Sequence, residues 1–400
     1  HERLVGSEMC IRDRFYYRHW DINRNFNTFT NTGANTATIS AKLAGAGVSL
    51  TQSGSGTTTL SGVNTYSGGT TISAGTLVAS TSSSALGSGS VTLGGSSGSA
   101  DAALQVATTG LTYSNAIVLS SGTSGTLTIG NTGTAISTTF SGGVTGNNNL
   151  VISEGATSGT ITFSGSSMNN TGTITNSGSG TGTTTISAAV GSNVTGITQA
   201  SSTSAFTIGG AITTAGTTFI NSGTGALTIT GGITGTGNVT FNNNSSGTTT
   251  VSGTSINNTG TITNSGSGTG TTTISAALGA NVNGITENGT SPLTLSGSNA
   301  SLTGGTTITA GTINAGSGNA LGTGGVGIGS SGILNLTYNG TVTLGSTLSM
   351  MTGASMTNST NTANLYVTGA STLNGSITTS GTQTYTLSLI HISEPTDAHE

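Results

Sequence analysis

Charge is nearly missing from this chain. Charged residues make up 4% of its 400 positions, against about 25% in an average soluble domain. All six basic residues, Arg3, Arg12, Arg14, Arg18, Arg24 and Lys42, fall in the first 42 positions. From 43 to 386 the only ionic side chains are Asp101, Glu154 and Glu287. Nucleic-acid binding relies on clustered Lys and Arg to displace counterions, so no nucleic-acid partner is expected for this body. The single Cys, Cys10, lies near the N-terminus, which excludes a disulfide framework. No apolar run approaches the roughly 18 residues of a membrane-spanning helix. No stretch combines helical spacing with a capping signal.

What the chain does have is glycine, 68 residues of it, and repetition. The 21 residues "NNTGTITNSGSGTGTTTISAA" occur at 169–189 and again at 257–277, 88 positions later. Extended, the copies run over 168–199 and 256–287 and differ at five of 32 positions. Such a period is the mark of a repeat architecture. A shorter rhythm runs inside it. Apolar pairs alternate with Thr at Ile161/Phe163, Leu227/Ile229 and Val239/Phe241, and Thr184/Ile186 continues the pattern. Alternation at period two lines one face of a strand. The linking "SGSGTG", "GG" and "NNNSSG" stretches supply turn chemistry.

These features predict an all-β fold, a right-handed parallel β-helix (β-solenoid). The 88-residue unit divides into about four coils of roughly 22 residues. Stacked coils would set Thr on Thr and Asn on Asn. They would also disfavour charge, because like charges about 4.8 Å apart repel. Over 43–386 such a stack would be about 75 Å long. A disordered Gly/Ser/Thr linker lacks the alternating Ile, Leu, Val and Phe needed to bury a core.

The two ends do not match the body. Glu8 to Arg14 can be encoded as GAG ATG TGT ATA AGA GAC AG. Its reverse complement reads Leu-Ser-Leu-Ile-His-Ile-Ser, the sequence of Leu387 to Ser393. Residues 1–14 and 387–400 therefore resemble translated sequencing-adapter DNA, and the chain is expected to be a fragment without caps. Residues 15–42 form a doubtful junction and first strand, and 43–386 the solenoid repeats. Natural solenoids need polar caps at their open ends. The adapter-like ends are expected not to pack as such caps.

One pattern is more specific. Residues 48–95 contain Leu60-Ser61-Gly62, Gly68-Gly69-Thr70-Thr71-Ile72, Ala74-Gly75-Thr76 and Ala85-Leu86-Gly87. Residues 285–329 contain Leu295-Ser296-Gly297, Gly304-Gly305-Thr306-Thr307-Ile308, Ala310-Gly311-Thr312 and Ala320-Leu321-Gly322. The second copy is looser, with Ala300 and Leu302 aligned on Thr65 and Ser67. This frame resembles the passenger-associated transport repeat, also called the autotransporter-associated β-strand repeat. The resemblance implies the structural β-helical passenger, or stalk, of a secreted, adhesin-type bacterial surface protein associated with the outer membrane. It implies as partners an outer-membrane translocation barrel or a sorting tail beyond this fragment, and other cells or surfaces.

Enzymatic strings fare poorly. Gly94-x-Ser96-x-Gly98 matches a nucleophile elbow, but the body carries no His to serve as base. "GTGGVGIG" at 322–329 lacks the Lys of a phosphate loop. Glu154 aligns with Asn242 and Glu287 with Gln199, so neither carboxylate is expected to have a repeated role. His19 and Trp20 sit in the doubtful junction. The chain is expected not to be an enzyme, with no catalytic, cofactor-binding or metal residues and no cofactors. Two alternatives stay open: ligand binding by outward Thr ladders, to ice or a crystalline polysaccharide, and a spacer for an enzyme whose catalytic domain lies elsewhere.

Overall fold

The alternation is realised as strands throughout. In the computed structural model the described residues are 8–10, 28–358 and 362–385. They form an all-β solenoid of about 16 turns without a helix, and every strand pairing among them is parallel, from Thr28–Asn31 to Gln383–Tyr385. Each coil in the middle of the stack has three faces. One coil, for example, lays down Gly172–Asn176 on the first face and Thr183–Ile186 on the second. It then touches the third face at Val190. His19 and Trp20 lie outside the described residues.

The register explains the duplication. On the third face Met168 bridges Val190, and Val190 bridges Ile212. Ile212 pairs with Ile233, and Ile233 with Ile256. Met168 and Ile256 are therefore the same position four coils apart, so the 88-residue unit is four coils. The two copies do not stack directly on each other. Each stacks on the intervening coils and repeats the same geometry. Asn193 N donates to Asn169 Oδ1 at 3.1 Å, and in the second copy Asn281 N donates to Asn257 Oδ1, also at 3.1 Å. A Cβ on Gly191 or Gly279 would collide with that Asn side chain, which accounts for glycine at both places.

Period two decides what is inside. Ile161, Phe163, Thr184, Ile186, Leu227, Ile229, Val239 and Phe241 are all buried, while Thr162, Thr185, Thr228 and Thr240 between them stay partly exposed. On the second face the inward residues Tyr113, Phe140, Phe163, Ile186, Ile208, Ile229, Val251, Ile274 and Leu295 stack in unbroken register. The aromatic rings at its start lie nearly parallel, 5.7 Å apart for Tyr113 and Phe140 and 5.4 Å for Phe140 and Phe163. Like-on-like stacking gives these rings offset contact that adds to their burial.

Glu8–Cys10, within the adapter-like segment, forms a parallel strand on Thr28–Asn31. The first coil presents an open row of backbone donors and acceptors, and such an edge recruits whatever extended segment is tethered to it. Residues 386–400, including the C-terminal adapter-like stretch, lie outside the described residues.

Candidate functional site: the buried polar row and the outward threonines

Sequence reading located no site, and the enzymatic strings do not assemble one. Ser96 is exposed in a turn between Gly94 and Gly98, both at positive φ. The "GTGGVGIG" string turns at Gly322 and then enters the strand Val326–Leu336. No group of three or more His, Cys, Asp or Glu side chains suited to a metal occurs among the described residues.

The structure instead reveals a feature that the pattern concealed. On the first face, strand after strand ends in a buried polar side chain: Asn131, Glu154, Asn176, Gln199, Asn221, Asn243, Asn264 and Glu287. Three times an Asn amide reaches up one coil to an oxygen at the next position. Asn131 Nδ2 donates to Glu154 Oε2, Asn176 Nδ2 to Gln199 Oε1, and Asn264 Nδ2 to Glu287 Oε2, each at 2.8 Å. Near the N-terminus Asn31 Nδ2 donates to Gln52 Oε1 at 3.1 Å in the same way. The remaining capacity is spent on turn backbone. Gln199 Nε2 donates to Ser204 O at 2.6 Å and Asn243 Nδ2 to Gly247 O at 2.7 Å. Most members of the row thus tie a corner to its own turn or to the neighbouring coil, satisfying groups whose burial would otherwise be costly, while Asn221 Oδ1 and Asn264 Oδ1 stay unpaired.

Glycines roof this row. A Cβ on Gly182 would stand 2.7 Å from Glu154 Oε1, and one on Gly270 would stand 2.8 Å from Asn243 Nδ2. Much of the "SGSGTG" turn is therefore a packing requirement.

The expectation that neither carboxylate has a repeated role is overturned. Glu154 and Glu287 are both fully buried. Each accepts from the Asn one coil below and from a backbone N–H of its own turn, Ala156 N at 2.9 Å and Gly289 N at 3.0 Å. Alignment at 88 residues misses this because the two acids stand six places apart in the row, whereas 88 residues span four coils. Burial raises both acids above the ordinary carboxylate range, Glu287 to about 8, against the opposing pull of their hydrogen bonds. The two are not brought together, since five other members of the row separate them. A signal was available: a polar residue on the inward phase of the alternation, often followed by Gly, as in Ile174-Thr175-Asn176-Ser177-Gly178.

Replacing Asn176 by Leu tests the row. Gln199 Oε1 and Thr184 Oγ1 would lose their partner, costing about 1–3 kcal/mol for each buried group left unmatched. Amide hydrogen exchange should quicken in the coils around 172–208 and stay unchanged in distant coils. Uniform exchange would show that the row carries no local stability.

The outward threonines form the other repeated surface. Thr112, Thr139, Thr162, Thr185, Thr207, Thr228, Thr250, Thr273 and Thr294 stack in register across nine coils. Asn314, Asn335, Thr357 and Thr378 continue the column. The column beside it starts as Ser137, Thr160 and Thr183, then meets Ala205 and Ala226.

The two related segments share internal geometry as well as letters. Asn64 accepts from Leu43 N at 2.8 Å and donates to Ala85 O at 2.6 Å. Asn299 accepts from Leu278 N at 3.0 Å and donates to Ala320 O at 2.6 Å. Thr70 Oγ1 and Thr306 Oγ1 donate to Leu86 O and Leu321 O. The structure shifts one detail of the alignment. Leu302, set opposite Ser67 by sequence, fills the buried place of Tyr66: Thr323 N donates to Leu302 O as Ser88 N does to Tyr66 O. The second segment has one more residue between its Asn and its Thr.

This parallel β-solenoid with an amide-lined corner is the class of molecule defined so far. The family model for the passenger-associated-transport-repeat matches residues 50–79 and 285–315. The chain carries two such repeats, and repeats and solenoid together fit an autotransporter passenger. No curated protein and no solved structure matches the chain.

Proposed function

We propose that this chain is the stalk of an adhesin-type passenger, exported to the bacterial surface and displayed there. In this reading its partner in export is an outer-membrane translocation barrel or a sorting tail, and its partners after export are other cells or surfaces. The observation that carries the reading is the uniform stack. Two transport repeats with the same internal hydrogen bonds sit within one continuous series of coils, lengthened by a duplication of a whole number of turns. A structure extended in that way gains reach without a change in register, which is what a stalk requires. Its chemistry is carried by apolar rows and amide bonds spread along the axis.

The test is deletion of 168–255 in the longer parent protein, which joins Ser167 to Ile256 at equivalent positions. Surface export and protease resistance are expected to survive, with a shorter displayed passenger. Loss of export would contradict the stalk.

One observation favours a second reading. The Thr column, unbroken over nine coils, offers evenly spaced hydroxyls to a regular lattice such as ice or a crystalline polysaccharide. The alanines in the adjacent column weigh against a broad flat hydroxyl face. If the deletion abolished binding to such a solid while leaving export intact, the Thr face would take precedence over the stalk.

A further inference from the structure

Glu287 and Gln199 occupy the same position in the two copies of the duplicated block, one as an acid and one as an amide. Their surroundings match at one atom and differ at the other, where Gln199 Nε2 donates to Ser204 O and Glu287 Oε1 accepts from Gly289 N. The Asn one coil below donates to each at 2.8 Å, and both side chains have no exposed surface. Around Glu287 stand Asn264 on the preceding strand, Ile308 opposite it on the next, Gly289 in its own turn and Gly311 above it. Around Glu154 stand Asn131, Ala156, and Gly178 and Gly182 of the following coil. None of these titrates, and among the described residues no cation faces either carboxyl. Elsewhere the row is made of neutral amides. An ionised carboxylate buried without a partner charge is costly, and the usual resolution is that the group keeps its proton.

We propose that Glu287 and Glu154 are held as neutral carboxylic acids, standing in for amides of the polar row, and that their ionisation loosens the coils around them at alkaline pH. The device makes the solenoid firmest in acid, and gives it two defined points that weaken as pH rises. When the acid ionises, its proton passes to solvent and the carboxylate must either recruit water or leave the core.

The direction of the pH effect follows from the raised acidity constants. Glu287 has a folded pKa of about 8 against an ordinary value of 4.5. The folded state therefore binds the proton more tightly than the unfolded chain. The stabilisation is complete below about 4.5 and is lost as pH rises through about 8. Within that window each pH unit costs the local fold about tenfold in its folded-to-unfolded ratio.

The test compares the intact chain with E287Q and E154Q/E287Q. Thermal unfolding followed by circular dichroism should show the parent melting several degrees lower at about pH 9 than at about pH 5. The double variant should melt at nearly the same temperature at both, matching the parent in acid and exceeding it in alkali. A parent whose melting point is flat or rises over this range would overturn the proposal. A second measurement needs no variant to fold. At about pH 6, where ordinary carboxyls are ionised, the infrared spectrum of the parent should contain a protonated carboxylic acid band. A spectrum without it would equally overturn the proposal.

Discussion

Removing residues 168–178 should destroy the solenoid downstream of the cut, whereas removing 168–189, twice as many, should leave it standing. The longer deletion takes out one coil and joins Ser167 to Val190, which then takes the place of Met168 above Val144 on the third face. Gly196 to Gln199 could then continue the stack above Leu150–Glu154. The shorter deletion leaves eight of the nineteen residues that carry the chain from Phe163 around the coil to Thr183. Thr183–Ile186 could no longer reach its place above Thr160 to Phe163, and every later strand would meet the wrong face. A register error of this kind moves inward side chains outward along its whole length. Limited proteolysis reads the result: a resistant product only slightly smaller than the parent for the whole-coil deletion, and extensive digestion for the half-coil deletion. Equal resistance of the two would show that coils are not the unit of assembly.

The second large effect is expected at Phe163. Its ring closes the stack that begins with Tyr113 and Phe140, and it is 1% exposed. Phe163→Ala would leave a cavity roofed by Ile186 and floored by Phe140, held open by the backbone ladders on either side. Large-to-small changes of an aromatic core residue cost about 3–5 kcal/mol. In a solenoid that cost falls on nearest neighbours, so hydrogen exchange should accelerate from about residue 136 to 190 before any distant coil responds. Phe163→Leu should recover much of the loss. An alanine variant with unchanged exchange would mean that the ring stack is incidental to stability.

These outcomes bear on how much the letters alone could reveal. Strand positions were legible because Thr-Ile and Leu-Thr-Ile alternation has only one reasonable inside, and Ile161, Phe163, Leu227 and Ile229 all face it. The four-coil meaning of the 88-residue unit was legible because length and spacing agree. The polar row was not. Asn176 sits next to the "SGSGTG" turn signal and Gln199 ends its own strand, so neither stands out from the letters alone. Only the register shows that these amides lie on the inward phase and meet across coils. Glu154 and Glu287 were hidden for a related reason. Sequence alignment compares positions 88 residues apart, whereas their shared role is defined by the coil directly below. The place of Leu302 depended on a one-residue difference in loop length, which spacing cannot assign without the hydrogen bonds of Thr323 and Ser88.

The central claim is that this protein is a register-stacked rod whose duplicated block is a whole number of coils. The most direct measurement is the length of the rod with and without residues 168–255, by electron microscopy of the purified chains. Four coils at about 4.8 Å each predict that the deletion shortens the rod by about 19 Å, with unchanged width and unchanged circular dichroism per residue. A deletion product of unchanged length, or one that loses its β signal and collapses, would contradict the account.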